Sequence, residues 1–551
     1  MSPEVSAGQR RWLFAVCFIS LVATSFGFVT RNFVIDDWAA QFDLSKTQQG
    51  EILGVGLWPF AISIVLFSLV IDRIGYGRSL AFAFVCHVAS IALVVSARGY
   101  WWLYAGTFLN ALGNGTVEAV INPVIATMYK KKTQWLNILH AGWPGGIALG
   151  GLLTLALDPG GLLHGVVAVD AASVWKLQVG LVLIPTLIYG VMLLRTRFPV
   201  SERVAAGVSY RAMLEEAGVV GMALVTFLIV WELTRVAAAA PPVFGVDWGA
   251  IGNLRGWSLG AMLGFVAAVT AVLMLPYAVF VRFAPGRPLF ILLLLIMIPL
   301  ATTELGTDAW MKELMEGVMR QSYGMSGLWV LIYSATIMMT LRLGCGPIVE
   351  KLRPLGVLAV SSLLAAVGIA SMSQVSTLQW AAVLIPVATT VYGLGQTFFW
   401  PTTLGVVAER FPRGGALTLN AIGGVGMLGV GIIGSQLLGF VQDTRVNEHV
   451  RRADPALHAA VIDDPRPSIF GSYRPLDDAK VAALPEPAKA TVDTASAAAK
   501  RDALLIVAAL PAALFVVYLA LIAGFKARGG YRPVELEATP AAPPMHTDGH
   551  R

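Results

Sequence analysis

Apolar stretches of about 20 residues follow one another along almost the whole chain, separated by short polar segments. A stretch of that length is long enough to cross the hydrocarbon core of a lipid bilayer as a helix. The pattern predicts fourteen membrane-spanning helices, near residues 12–35, 50–71, 79–97, 101–127, 135–156, 175–195, 218–239, 257–281, 288–307, 326–344, 355–373, 379–405, 415–441 and 504–525.

The segments between the predicted helices alternate between basic and non-basic. Those after the second, fourth and sixth helices read DRIGYGR, YKKK and RTRFPVSERV, whereas DDWAAQFD follows the first. Because basic loops stay on the cytoplasmic side, we expect a multi-pass protein of the cell (inner) membrane with both termini in the cytoplasm. Residues 442–503 then form a large extracytoplasmic loop, and their scarcity of aromatic residues predicts marginal order.

The chain divides into six predicted helices, an added pair, and six more. Residues 1–195 form the first six-helix bundle, and residues 196–287 hold a cytoplasmic surface helix and the two extra helices. Residues 288–525 form the second six-helix bundle together with the large loop, and residues 526–551 form a cytoplasmic tail.

Sequence patterns of the first bundle recur in the second. The loop after the second helix carries Asp72 and Arg73, and the loop after the tenth carries Glu350 and Lys351. A second pattern also recurs. In the first half Asn122-Pro123 is followed by Leu136-Asn137, and in the second half Trp400-Pro401 is followed by Leu419-Asn420. Repeated halves are typical of transporters, whose solute site lies between the halves. The predicted fold class is therefore an all-α polytopic membrane protein.

The composition agrees with this architecture. Hydrophobic residues make up 56% of the chain and charged residues 13%, against about a quarter charged in soluble domains. The net charge of +6 is what basic loops contribute, so no nucleic-acid partner is expected. Cys17, Cys86 and Cys345 are not spaced as a metal site, and we find no nucleophile–base pair or phosphate loop. We therefore expect no enzyme activity, no metal and no cofactor.

Four polar residues lie four positions apart in the fourth predicted helix, namely Asn110, Asn114, Glu118 and Asn122. This spacing keeps them on one slowly drifting stripe of the helix. Asparagines in membrane helices often only bind neighbouring helices, but a carboxyl group there is costly unless it faces a wet cavity or a partner. Because burial disfavours the charged form of a carboxyl group, Glu118 is the predicted proton carrier.

These loops and repeats resemble the major facilitator superfamily. The signature loop of that superfamily reads G-x-x-x-D-[RK]-x-G-[RK]-[RK]. In this chain Asp72, Arg73 and Gly75 match it, and Ser68 stands in place of the first glycine. The second-half copy keeps Gly346, Glu350 and Lys351. The resemblance implies a major facilitator fold of two six-helix bundles, here with two additional central helices, that transports by alternating access.

A narrower set of motifs is similar to those of the fucose/galactose/glucose proton symporters. The motifs are Glu118 to Pro123 with Leu136-Asn137, Glu304 to Trp310, Arg342 to Gly344, and Phe399 to Thr402. The resemblance implies proton-coupled symport of a small polar solute such as a sugar or sugar acid. We expect the solute, protons and the lipid bilayer as partners, and a monomer. Those symporters carry an aspartate in the first helix, where this chain has Thr30-Arg31-Asn32.

Arg31 keeps a second function open. Anion-carrying branches of the superfamily hold a carboxylate with a first-helix arginine, so an organic-anion carrier is the alternative. Arg31 could equally be the structural partner of Asp36 or Glu118. Peptide-carrying branches share an added helix pair, but their E-x-x-E-R-F motif is absent. A third candidate is a non-transporting sensor on a transporter scaffold, with residues 442–503 as its recognition domain.

The candidate site residues form three groups. Proton coupling is assigned to Glu118 and Glu304. Gating is assigned to Asp72, Arg73, Arg342, Glu350 and Lys351. Solute binding is assigned to Arg31, Asn114, Asn122, Asn137, His140, Trp143, Thr303, Trp310, Gln396, Trp400 and Asn420. The tryptophans are either stacking surfaces for a sugar or lipid-interface anchors.

Overall fold

A computed structural model describes residues 6–44, 46–158, 161–163, 170, 173–239, 247, 249, 250, 254, 256–375 and 381–536. These residues are almost entirely helical, and their strands form one two-stranded hairpin. Twelve of the described helices are long and apolar enough to cross a membrane. The prediction of an all-α polytopic membrane protein is confirmed.

The described part of the first bundle consists of nine helices. They are α1 (Ala7–Phe42), α2 (Lys46–Gly54), α3 (Trp58–Ile74), α4 (Tyr76–Val95), α5 (Tyr100–Met128), α6 (Lys132–His140), α7 (Gly142–Leu157), α8 (Val174–Gly180) and α9 (Leu183–Leu193). Three of the predicted spans are each built from two consecutive helices, α2 with α3, α6 with α7, and α8 with α9. Pro59 stands at the start of α3, where its missing backbone donor costs nothing.

Three helices are described in the segment that connects the bundles. They are α10 (Glu202–Ala205), α11 (Tyr210–Ala239) and α12 (Leu259–Phe280). Gly218 interrupts α11 with a φ of 67°, a left-handed conformation that glycine adopts without strain. The amphiphilic turns of α11 before Gly218 are thereby separated from its apolar part. The predicted surface helix is therefore helical only in α10 and in the first turns of α11. Most of the predicted turn region between α11 and α12 lies outside the described residues.

The remaining elements belong to the second bundle and its large loop. They are α13 (Pro288–Ala301), α14 (Thr307–Tyr323), α15 (Leu328–Leu343), α16 (Gly346–Gln374), α17 (Ala381–Gln396), α18 (Phe399–Arg410), α19 (Gly415–Gly429), α20 (Ser435–Ala453), α21 (Pro455–Val461), β1 (Arg466–Ser468), β2 (Gly471–Tyr473), α22 (Asp478–Ala482) and α23 (Glu486–Ala527). The π-helical turns Thr302–Gly306 and Val430–Gly434 join α13 to α14 and α19 to α20, and they contact each other. Such turns interrupt helices mostly at functional sites.

The fourteen predicted spans all fall on helices. Twelve of them meet the length and apolarity expected of a span. The other two are α5, which carries the polar stripe, and α15, which is apolar but only 16 residues long. The number of membrane crossings stays a prediction.

Among the described residues, the two halves meet most extensively along the helix pairs α3 with α19, α7 with α15, and α6 with α18. Apolar residues are buried along these contacts, among them Ile64, Leu404 and Leu417. At Gly405 of α18 a Cβ atom would overlap with Thr133 of α6. The missing side chain therefore lets these two helices approach closely.

The added pair lies beside this interface. α11 packs on α12 and also on α3, α13 and α19. α12 is mostly exposed, as a lipid-facing helix would be. Glu232 and Arg235 of α11 pair with each other at 2.5 Å, and neither lines a cavity described below.

The loop over residues 442–503 is folded, so the prediction of marginal order is wrong. α20 and α23 extend beyond their apolar segments and pack together. With α21 they enclose a small core of Val450, Leu457, Val461, Val492 and Ala495. Small alanines let helices pack without large apolar side chains. The scarcity of aromatic residues therefore does not prevent order here.

Candidate functional site

A narrow cavity with a free volume of about 20 Å³ lies between the two halves. We call it the central cavity, and its lining is Phe60, Glu118, His140, Trp143, Glu304, Leu305, Arg342, Trp400 and Met427. These residues come from α3, α5, α6 and α7 of the first bundle and from the first π-helical turn, α15, α18 and α19 of the second. The central cavity therefore lies at the interface between the two halves, which is where transporters built from repeated halves bind their solute.

The first-bundle wall holds a carboxyl group without a basic partner. Asn122 Nδ2 donates a hydrogen bond of 2.6 Å to Glu118 Oε2. His140 Nε2 lies 2.9 Å from Asn122 Oδ1 and therefore donates to it, and it is 3.9 Å from Glu118 Oε2. Among the described residues, no lysine or arginine pairs with Glu118. Glu118 is 2% exposed, so its charge is balanced by hydrogen bonds alone.

The second-bundle wall holds a closed ion pair. Arg342 Nη2 lies 2.8 Å from Glu304 Oε1, and the backbone N–H of Trp400 donates to Glu304 Oε2 at 3.2 Å. Arg342 also donates to the carbonyl oxygens of Thr397 (2.6 Å) and His140 (2.9 Å). The bond to His140 crosses to the first half. Arg342, which is predicted to act in the gate, lies in the wall of the central cavity.

Two residues next to this pair were missed by the sequence analysis. Asp308 lies one helical turn after Glu304, and Tyr392 donates to its Oδ1 at 3.1 Å. Tyr392 is fully buried against Gly368, where a Cβ atom would overlap with it. The spacing of four residues between Glu304 and Asp308 was the available signal, since it places both on one helix face.

The other predicted solute-binding residues divide into three sets. Trp143 and Trp400 line the central cavity. Asn137 donates to Thr402 Oγ1 at 3.1 Å, and Asn420 donates to the carbonyl oxygen of Ala119 at 3.1 Å, so both connect the two halves. Asn122, Asn137 and Asn420 are not part of the cavity lining, and neither are the remaining predicted residues, Asn114, Thr303, Trp310 and Gln396.

Asn114 belongs to a polar cluster inside the first bundle. His87 Nε2 donates to Asn114 Oδ1 at 2.9 Å, and Tyr189 donates to His87 Nδ1 at the same distance. Every polar atom of the imidazole ring is thereby satisfied, as expected of a packing residue. Thr303 similarly donates to the carbonyl oxygen of Pro299 at 2.8 Å in its own helix.

Arg31 lines a second cavity, with a free volume of about 40 Å³, within the first bundle. Neither of its predicted partners contacts it, because Asp36 pairs with Lys312 at 3.3 Å and Glu118 binds Asn122. The guanidinium group lies instead against Gly56, in the break between α2 and α3. Arg31 is therefore remote from the central cavity in this conformation.

One end of the bundle, which we call the basic face, carries Lys130, Lys131 and Lys132 and is predicted to be cytoplasmic. There Lys131 of the first half forms an ion pair with Glu350 of the second. The backbone N–H and the hydroxyl of Thr133 donate to Glu409 Oε1, at 3.3 and 2.5 Å. Lys131, Thr133 and Glu409 were not among the predicted gating residues, and these contacts close the central cavity at this end.

Asp72 lies in the last turn of α3 and Glu350 in the first turns of α16, so neither is in a loop as predicted, and the two make different contacts. Asp72 pairs with Arg203 at 2.5 Å and accepts a hydrogen bond of 2.9 Å from Ser201. Arg203 packs against Gly415 of the second half. Asp72 thus acts on the second half through the connecting segment. Arg73 lies over the ring of Tyr210 at 5.5 Å, and Lys351 is exposed.

The halves also meet at the opposite end. Met339 and Ile332 of α15 pack on Gly145 and Gly151 of α7, where a Cβ atom would lie 3.1 and 3.0 Å from them. Lys312 and Asp36 add the exposed ion pair at that end. The central cavity is therefore covered on both sides. Among the described residues, no cluster of histidine, cysteine and carboxylates could hold a metal ion.

Comparisons with known proteins agree with this architecture. No curated protein sequence matches the chain. Similar structures include a variant of the Escherichia coli fucose:proton symporter FucP, 14% identical, covering 92% of this chain and 98% of its own, with a TM-score of 0.50.

Two further structures are similar over most of their length. The human organic anion transporter MFSD10 is 11% identical, with 92% of this chain and 99% of its own covered and a TM-score of 0.52. A bacterial homologue of the human drug peptide transporters PepT1 and PepT2 is 10% identical, with 94% and 99% covered and a TM-score of 0.55. Identities this low show a shared fold. The family model described as Major Facilitator Superfamily matches residues 16–435, and the chain belongs to that superfamily.

Proposed function

We propose that the protein is a secondary active transporter that couples proton movement to the symport of a small polar solute, such as a sugar or sugar acid. The observation that carries the proposal is the enclosed central cavity, in which Glu118 has no basic partner while Glu304 is neutralised by Arg342.

Glu118 is the proposed proton carrier. A carboxylate without a cation beside it is costly inside a membrane, and protonation removes that cost. Opening either end of the cavity exposes the carboxyl group to water, and hydration lowers the free energy of its charged form. Asn122 and His140 lie beside it and can exchange hydrogen bonds with a solute. Solute and proton occupancy are therefore linked through one cluster.

The solute is proposed to bind between the two walls. Trp143 and Trp400 offer apolar ring faces, which suit the C–H faces of a sugar. Glu118 and His140 offer polar groups on one side. In this conformation the cavity has a free volume of only about 20 Å³, room for about one water molecule, so the two walls have to move apart to admit the solute.

Alternating access requires the contacts at one end to open while those at the other stay closed. On the basic face, the proposed gate is the pair Lys131–Glu350 and the bonds from Thr133 to Glu409. Asp72 contributes through Arg203 of the connecting segment. At the opposite end, the apolar contacts between α7 and α15 form the proposed second gate.

The test is uptake of labelled solutes by proteoliposomes, first with a panel of sugars and sugar acids and the wild-type protein. Glu118→Gln mimics the protonated carboxyl group. We expect this variant to lose uptake driven by a pH gradient but to keep part of the solute exchange, because solute binding does not need the charge. Glu232→Gln, which changes a membrane carboxyl group outside the cavity, is the matched control.

Gradient-driven uptake that survives in Glu118→Gln would move the coupling role to Glu304 or Asp308. Absence of exchange for every solute of the panel would instead favour the sensor alternative, to which the folded segment over residues 442–503 gives structural support. The two outcomes are distinct because exchange requires transport but no gradient.

A further inference from the structure

The second cavity, around Arg31, is surrounded by buried hydrogen-bond donors that have no acceptor. Arg31 Nε, Thr30 Oγ1, Trp38 Nε1 and Thr107 Oγ1 all lack a partner within the described residues. Their side chains are 6%, 1%, 1% and 2% exposed. Buried donors in proteins are nearly always paired, so four unpaired ones around one cavity point to a ligand.

The chemistry of these groups selects the charge of that ligand. An arginine and an indole N–H can only donate hydrogen bonds, and the threonine hydroxyls are free to donate as well. No carboxylate among the described residues pairs with Arg31. Asp36 is engaged by Lys312, Asp37 is exposed, and Glu51 accepts a bond from Tyr100. The cavity thus carries an uncompensated positive charge, which is costly to bury.

The site is separate from the central cavity. Every residue that lines it belongs to the first bundle, on α1, α4, α5, α8 and the turn before α9. Asn110 of this cavity and Glu118 of the central cavity lie on the same helix, eight residues and so about 12 Å apart. A ligand here would therefore not occupy the proposed solute site.

We propose that this cavity binds a small monovalent anion, a halide or a carboxylate, through Arg31, Thr30, Trp38 and Thr107. Water can satisfy the neutral donors, but only an anion also compensates the guanidinium charge. Arg31 lies against Gly56 in the break between α2 and α3, where a Cβ atom would overlap with it. A bound anion connects Thr30, Arg31 and Trp38 of α1 to Thr107 of α5 and thereby stabilises the first bundle.

The test is the thermal unfolding of the purified protein in detergent. Sodium chloride or sodium acetate replaces sodium gluconate stepwise at constant ionic strength. An anion that binds only the folded protein raises the midpoint temperature of unfolding. We expect a saturable rise with chloride or with acetate and none with the larger gluconate. A response to chloride alone identifies a halide, and a response to acetate alone identifies a carboxylate.

Three variants locate the effect. Thr107→Val removes one donor and keeps the shape of the side chain, so it should raise the anion concentration at half-saturation about fivefold, the effect of one hydrogen bond. Trp38→Phe removes the indole N–H together with part of the ring, so it should weaken the anion response at least as much. Arg31→Gln should abolish the response. Thr154→Val is the control, because that hydroxyl bonds within its own helix at 2.7 Å, and it should respond like the wild type.

Equal stabilisation by all three salts, or an unchanged anion response in Thr107→Val and Trp38→Phe, would overturn the proposal and leave water as the occupant. These two variants decide the question even if Arg31→Gln does not fold.

Discussion

Arg342 and Glu304 form an ion pair that is almost completely buried, with side chains 1% and 2% exposed. Removing one partner leaves an uncompensated charge in the membrane interior, and we expect Arg342→Gln to destabilise the protein by about 3–5 kcal/mol. The double variant Arg342→Gln with Glu304→Gln leaves no such charge and should be more stable than Arg342→Gln. Thermal unfolding of the purified variants measures both effects.

The exposed pair between Lys312 and Asp36 is the matched control for this experiment. Its side chains are 36% and 67% exposed, so Lys312→Gln should change stability by only about 0–1 kcal/mol. If Arg342→Gln were as mild as Lys312→Gln, then the buried pair would not be needed to hold the cavity wall together. Uptake assays on the double variant would then show whether the pair serves transport alone.

At the scale of elements, the segment after α23 contacts the gate on the basic face. Tyr531 donates to Glu409 Oε2 at 2.8 Å, and the backbone N–H of Val534 donates to the carbonyl oxygen of Glu409 at 2.7 Å. The other carboxyl oxygen of Glu409 holds Thr133 of the first half. Burial and the Glu409 carboxylate raise the pKa of Tyr531 well above its usual value, so the hydroxyl stays a donor throughout the physiological pH range.

We therefore expect Tyr531→Phe to loosen the contact between Glu409 and Thr133 and to favour opening of the basic face. Cys345 is a native reporter, because it is buried and its Sγ lies 3.5 Å from the carbonyl oxygen of Gln134 in the first half. With Cys17 and Cys86 replaced by alanine, Cys345 should react with a maleimide severalfold faster in Tyr531→Phe than in the parent protein.

Tyr323→Phe controls for the loss of a tyrosine hydroxyl elsewhere, since Tyr323 binds the carbonyl oxygen of Ala382 at the other end of the molecule. It should leave the labelling rate of Cys345 unchanged. An unchanged rate in Tyr531→Phe as well would show that the tail segment only rests on a gate that Thr133 and Glu409 hold without it.

For the whole molecule, the charge of the loops predicts which face meets the cytoplasm. Ala459 lies exposed in the folded segment beyond α20, and Arg528 lies exposed after α23, at opposite ends of that helix. A cysteine at Ala459 should react with an impermeant maleimide added to intact cells, whereas a cysteine at Arg528 should react only after permeabilisation. The native cysteines are buried and give a low background. The reverse pattern would invert the topology.

Much of the architecture follows from local sequence. Long apolar runs place the spans because the transfer of a helix into lipid depends on its own residues. Gly218 ends the amphiphilic turns of α11, and the span predicted near residues 218–239 begins at the same residue. A carboxyl group in an apolar helix predicts a wet cavity or a partner beside it, and Glu118 does line the central cavity.

The composition of the sites, by contrast, depends on residues that are distant in the chain. The polar stripe drifts by about 120° over its three steps, because four residues exceed one helical turn. Asn110 therefore meets the Arg31 cavity, Asn114 meets His87, and Glu118, which binds Asn122, meets the central cavity. Regular spacing in the sequence showed one face, but the neighbouring helices divide it among three environments.

The same reason explains the residues that sequence patterns missed or misplaced. Glu409 and Thr133 are 276 positions apart, and Lys131 and Glu350 are 219 positions apart. Nothing in either local segment specifies the other, because these bonds exist only once α6 has packed against α18 and α16. Arg31 is likewise separated from the central cavity by the packing of the first bundle. Burial and charge balance are properties of the packed helices and not of any one of them.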